Sequence, residues 1–185
     1  MSNEYRSLMM RANRLLGAAL VEQNLVKVED LETANERLLE IANMGQPRQM
    51  TLLGLLAYEL KVLREEDLLQ HIVEQNGVGA VDLRSYDVPE DLKKDLDLGA
   101  CWATWSVPFD REEDFNFVAT AYYLSPAVRT FWEGQLKGPV LWFGTSLEVI
   151  ADYLEKLEPA AMRLVGGSRA PLAAKTPGGT RAPFA

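Results

Sequence analysis

Two stretches of this 185-residue chain repeat each other, and the duplication limits the fold more than any other feature. Residues 16–31 read LGAALVEQNLVKVEDL and residues 53–68 read LGLLAYELKVLREEDL. One offset of 37 carries Gly17 onto Gly54, Leu16 onto Leu53, Leu25 onto Val62, Val26 onto Leu63 and Asp30 onto Asp67. Apolar residues recur three and four apart, so each copy predicts a helix, a tight turn and a second helix. A glycine early in the first helix lets another backbone or a flat ligand come close. The acids before Leu31 and Leu68 fall where a helix N-terminus is positive. Two copies are too few for a solenoid.

The remainder changes character. Residues 105–109 and 115–119 alternate apolar and polar, with the polar run Asp110–Asp114 between them, and predict an antiparallel hairpin. Residues 140–143 form a third short apolar run, and a short helix is expected at 89–97. Ser125-Pro126 reads as a cap with proline at the first helical position. Thr145 and Glu148 have capping-box spacing, and Pro159 would end that helix. The expected class is α+β. A helical repeat of two helix-turn-helix units spans 1–80, a small β-β-α-β-α subdomain spans 81–160, and 161–185 is a flexible basic tail. Helices covering one face of a small mixed sheet would be the natural packing.

Charge and composition exclude several functions. The net charge is −8, but the last 23 residues hold four bases and no acid, so residues 1–162 carry 15 bases against 27 acids. Such a body lacks the basic face that duplex nucleic acid requires. One cysteine, Cys101, and one histidine, His71, cannot build a disulfide or a Cys/His zinc cage, so no metal is expected. No apolar run is long enough to cross a membrane, and MSNEYRSLMMRANR lacks a secretory apolar segment. The expected compartment is the cytosol. Catalysis finds no support either. His71 lies mid-helix without a nucleophile nearby in sequence, and no G-x-S-x-G elbow occurs. Cys101 sits among apolar neighbours and reads as a buried, inert thiol. Asp110, Glu112, Glu113 and Asp114 lack calcium-loop spacing and read as a solvated hairpin tip. The four tryptophans read mainly as core. Trp132 is the exception: one of Phe131 and Trp132 must turn away from the sheet, and Trp132 is expected at a partner surface.

At the repeat the chain resembles the N-terminal domain of type II secretion and type IV pilus assembly ATPases, the MshE N-terminal-like domain. That pattern is L-G-x-x-L-V-x-x-G-L-I-x-x-x-x-L. Gln75 follows Leu68 and Ile72 at the family spacing, and VGAVDL at 78–83 resembles its short strand. Val88-Pro89-Glu90-Asp91-Leu92, the hairpin and the last capped helix keep the family order, so the resemblance covers about residues 10–158. It implies a cytosolic, non-catalytic module. Such a module docks to a partner in a secretion, pilus or envelope-polysaccharide system, peripheral at the inner membrane through that partner. Alternatively it senses cyclic di-GMP. No G-x-x-x-x-G-K-[ST] phosphate loop accompanies it.

The chain also departs from the family. Cyclic di-GMP binders place arginine before Leu-Gly, where this chain has Leu15 and Leu52. Arg14 is one residue off, a rotation of about 100° on a helix. The turn glycines are replaced by Asn24 and Lys61, and the terminal glutamine by Leu38 in the first copy. For a nucleotide, the resemblance implies a site of Arg14, Leu16, Gly17, Leu53, Gly54 and Gln75, with Arg14 or Arg48 supplying the cation.

Overall fold

The first helix, α1 (Asn3–Glu22), buries Leu8, Met9, Ala12, Leu16, Ala19 and Leu20, a stripe at helical spacing. The computed structural model that shows this describes residues 3–44 and 51–158. The basic tail, Pro159 and Arg48 lie outside those residues.

The first copy of the repeat is α1, a turn and α2 (Val28–Asn43). The second is α3 (Leu52–Gly54), running straight into a π-helical turn (Leu55–Glu59), then α4 (Glu65–Asn76). Both turns hinge on a left-handed residue at the repeat offset, Asn24 at φ 56° and Lys61 at φ 55°. Asparagine tolerates that conformation, whereas lysine gives up about 1–2 kcal/mol. The first turn closes tightly: Leu25 N donates to Leu20 O at 2.9 Å and Asn24 N to Val21 O at 3.0 Å. The second is one residue wider, with Val62 N donating to Leu56 O at 3.0 Å, because the π-helical turn precedes it.

After α4 come β1 (Gly79–Ala80), a 3-10 turn (Leu83–Ser85), α5 (Glu90–Lys94), α6 (Leu98–Thr104), β2 (Ser106–Glu112), β3 (Phe115–Thr120), α7 (Pro126–Gln135), β4 (Val140–Gly144) and α8 (Leu147–Leu157). The sheet order is β1-β4-β3-β2. The β2–β3 pair is antiparallel, from Ser106 opposite Thr120 to Glu112 opposite Phe115, and β4 runs parallel to both β3 and β1. This is the expected α+β class, with β1 added where the resemblance placed a short strand.

Some boundaries differ from expectation. Trp105 does not begin a strand. It is the left-handed cap of α6, at φ 48°, and Asp97 caps the other end by accepting from Ala100 N at 3.1 Å. Ala100 through Thr104 are all buried, so α6 has no polar face and no readable period. The hairpin tip is shorter than the acid run: Asp110 and Glu112 lie within β2, and Glu113 turns at φ 52°. Ser125 and Pro126 do open α7, but the Ser125 hydroxyl donates to Ala12 O at 2.8 Å, tying α7 to α1. The cap of α8 is Ser146, not Thr145. Its Oγ accepts from Val149 N at 3.2 Å, while Thr145 is buried at the end of β4. One hydrophobic cluster runs from Leu8 of α1 through the sheet to Leu154 of α8, with α1 packed on α6 and α7.

Candidate functional site

The two glycines of the repeat are where a flat ligand would enter, so the space beside them decides what the repeat can hold. A Cβ on Gly17 would lie 2.7 Å from Leu31 Cδ1 and 3.0 Å from Leu52 Cδ2. Leucines of α2 and α3 already occupy that seat. A Cβ on Gly54 would lie 2.7 Å from Thr51 Cγ2 and 3.7 Å from Leu147 Cδ1, so α8 begins against the second seat. Leu16 and Leu53 are wholly inside. Of the six residues that the resemblance implied, only Arg14 and Gln75 are exposed; Gly17 is buried and Gly54 half-buried. Leu52, at an arginine position of the cyclic di-GMP binders, is a fully buried core residue. A guanidinium there would need a buried partner.

The start of α3 is sealed by a buried polar network that sequence reasoning missed. Asn13 Oδ1, from α1, accepts from Leu52 N at 3.1 Å and from the Tyr122 hydroxyl at 2.6 Å. The Tyr122 oxygen accepts from Leu53 N at 3.4 Å and lies 2.8 Å from Thr51 Oγ1, which accepts from Gly54 N at 3.3 Å. The free amides of a helix N-terminus thus find partners inside the protein. Burial pushes the Tyr122 hydroxyl far up from its ordinary pKa, so it stays a neutral hydrogen-bonding group.

A second joint forms at Glu65, the first residue of α4. Its Oε1 accepts from Leu147 N, the first amide of α8, at 2.8 Å, and the Tyr58 hydroxyl donates to Oε2. Desolvation raises the Glu65 carboxyl above the ordinary carboxylate range, although both hydrogen bonds pull the other way. The cavity beside it, about 10 Å³, lies among Leu53, Leu68 and Ile72 and holds one water at most.

The remaining candidates are structural. His71 Nε2 lies 2.6 Å from Gln23 Oε1, linking the two copies. Cys101 is fully buried, and burial drives its thiol pKa up, which suits the inert reading. Among the described residues no cluster of three His, Cys, Asp or Glu could hold a metal, and no helix is long and apolar enough to cross a membrane. The expectation for Trp132 is corrected. Trp132 is 4% exposed, and its Nε1 donates to Thr104 Oγ1 at 3.0 Å. Phe131 is the half-buried member of the pair, set edge-on against it. Neither Asn13 nor Tyr122 carries a local sequence signal, because the partners Leu52 and Asn13 are 39 and 109 residues away, and the bond from Leu147 N to Glu65 spans 82 residues.

No protein-family profile matches the chain, and no curated protein matches it. Two solved structures to which the chain is similar are MshE with cdg and the N-terminal domain of XpsE. For MshE the identity is 21%, the match covers 77% of this chain and 98% of that one, and the TM-score is 0.48. For XpsE the identity is 21%, the coverage is 78% and 94%, and the TM-score is 0.48.

Proposed function

We propose that the chain is a non-catalytic module that docks a protein partner of an envelope machine, as the N-terminal domains its repeat resembles do. The machine would be a secretion, pilus or envelope-polysaccharide system, and the module would sit on the cytosolic side of the inner membrane through that partner. The observation that carries this reading is a contrast within the repeat. Its scaffold is kept, with left-handed turns at Asn24 and Lys61 at one offset, while the seat at Gly17 is filled by Leu31 and Leu52 and the half-buried one at Gly54 is narrowed by Thr51. A repeat that folds faithfully but leaves little room beside its glycines supports a docking role over ligand capture.

The test is cross-linking of the tagged, full-length chain in its native host, followed by identification of the linked proteins. The expected product is an inner-membrane assembly protein of such a machine, linked to the same surface residues in repeated experiments. Recovery of only non-envelope proteins would count against the proposal. The competing reading is a cyclic di-GMP sensor, and calorimetry of the same chain with that nucleotide separates the two.

A further inference from the structure

Outside the repeat, a cavity of about 180 Å³ opens among the 3-10 turn, α5 and α8. Its lining is Leu83, Arg84, Tyr86, Lys93, Tyr153 and Lys156. Three of the six are cations and none is an acid, although acids outnumber bases 27 to 15 over residues 1–162.

The carboxylates that hold Arg84 and Lys93 stand outside the lining. Asp82 takes Arg84 through Nε and Nη2, each at 2.9 Å, and Glu90 takes Lys93 at 2.7 Å. Glu148 and Asp152 of α8 also act on Arg84 electrostatically. Neither pairing exhausts its cation. Lys93 keeps further ammonium hydrogens, and Arg84 keeps Nη1. The Tyr86 hydroxyl donates to Asp110. Tyr153 contributes to the lining, but its hydroxyl is closed to solvent.

Size narrows the ligand. The cavity is smaller than the roughly 300–1,000 Å³ of pockets that enclose a whole organic ligand, so it suits one compact group. Arg84, Lys93 and Lys156 together carry more N–H donors than one carboxylate can accept. A dianion with three terminal oxygens matches them. We propose that this cavity binds a phosphate group, either free or on a small molecule. The inference goes beyond the docking reading and does not depend on it.

The test is a two-dimensional amide NMR titration of the full chain with inorganic phosphate, phenyl phosphate and N-acetylglutamate. A phosphate probe is expected to give saturating shifts, confined to signals of residues 82–86, 93 and 153–156, at millimolar concentration or below. Tighter binding of phenyl phosphate identifies an ester as the ligand, and tighter binding of inorganic phosphate identifies the free ion. Arg84→Ala and Lys156→Ala should each weaken binding about tenfold, the loss of one charge-assisted hydrogen bond. Asp82→Asn keeps an acceptor for the 3-10 turn and removes a competing charge, so it should strengthen binding. That variant decides the matter if either alanine variant fails to fold. Shifts that spread without saturating, an affinity unmoved by these substitutions, or tighter binding of N-acetylglutamate would overturn the proposal.

Discussion

Replacing Tyr122 with phenylalanine deletes one oxygen and leaves the ring in place. That oxygen donates to Asn13 Oδ1 at 2.6 Å, faces Thr51 Oγ1 at 2.8 Å and accepts from Leu53 N at 3.4 Å. Asn13 keeps Leu52 N as a partner, but Leu53 N and Thr51 Oγ1 each lose one inside the protein. With up to two buried groups short of a partner, the expected cost is about 2–3 kcal/mol. For a chain of this length that lowers the melting temperature by about 4–12 °C. Equilibrium denaturation in urea, followed by circular dichroism, measures it. The midpoint should fall with the slope unchanged, since the surface exposed on unfolding is the same. Asn13→Ala should cost a similar amount, and the double variant should cost less than the sum by at least about 0.5 kcal/mol, because the two groups bond to each other. A Tyr122→Phe change below about 0.5 kcal/mol, or strictly additive single variants, would refute the view that this network seals the start of α3.

Other substitutions test other parts of the fold. Gly138→Ala should cost about 2 kcal/mol or more, because a Cβ would stand 2.3 Å from Asp114 O and the residue sits at φ 93°. Gly134→Ala, in open space on α7, should instead stabilise by about 0.5–1 kcal/mol, and thermal melts of the pair check both signs. Lys61→Gly should raise the denaturation midpoint by relieving a left-handed lysine, with a gain of about 0.5–1 kcal/mol; a loss would contradict the strain argument. Glu65 provides a pH test. Its folded pKa is raised, so the native state holds this proton more tightly than the unfolded chain. Its contribution to stability is therefore fullest below the unfolded carboxylate pKa and is lost as pH rises through the folded value. Glu65→Gln should flatten that part of the stability profile measured from about pH 4 to 8, whereas Glu65→Ala should destabilise at every pH by leaving Leu147 N short of its acceptor.

The parts of this fold that a reader of the sequence could find are those with a local signature. The duplicated helix-turn-helix showed in the Leu-Gly and Glu-Asp-Leu spacing, and the hairpin showed in the alternation on either side of a polar turn. Helix α6 did not, because Ala100 to Thr104 are buried on every side and period carries no information there. The Thr145 and Ser146 cap positions look alike in sequence, and only the hydrogen bond to Val149 N separates them. Trp132 and Phe131 posed the same ambiguity, and the burial of the Thr104 hydroxyl resolved it by giving the indole N–H a partner. The seats at Gly17 and Gly54 could be located from the repeat. What fills them could not, since Leu31, Leu52 and Leu147 arrive from other turns of the chain. The phosphate cavity had no motif at all: its residues come from three separate elements.

The filled glycine seats are also the point at which the docking reading is most exposed. Isothermal titration calorimetry of the full chain with cyclic di-GMP addresses them directly. Only heats of dilution are expected up to high micromolar nucleotide, because Leu31 and Leu52 occupy the space beside Gly17, and Thr51 and Leu147 the space beside Gly54. A saturable heat with defined stoichiometry, abolished by substitutions at Arg14 or Gln75, would show that the repeat opens to a ligand and would contradict the docking reading.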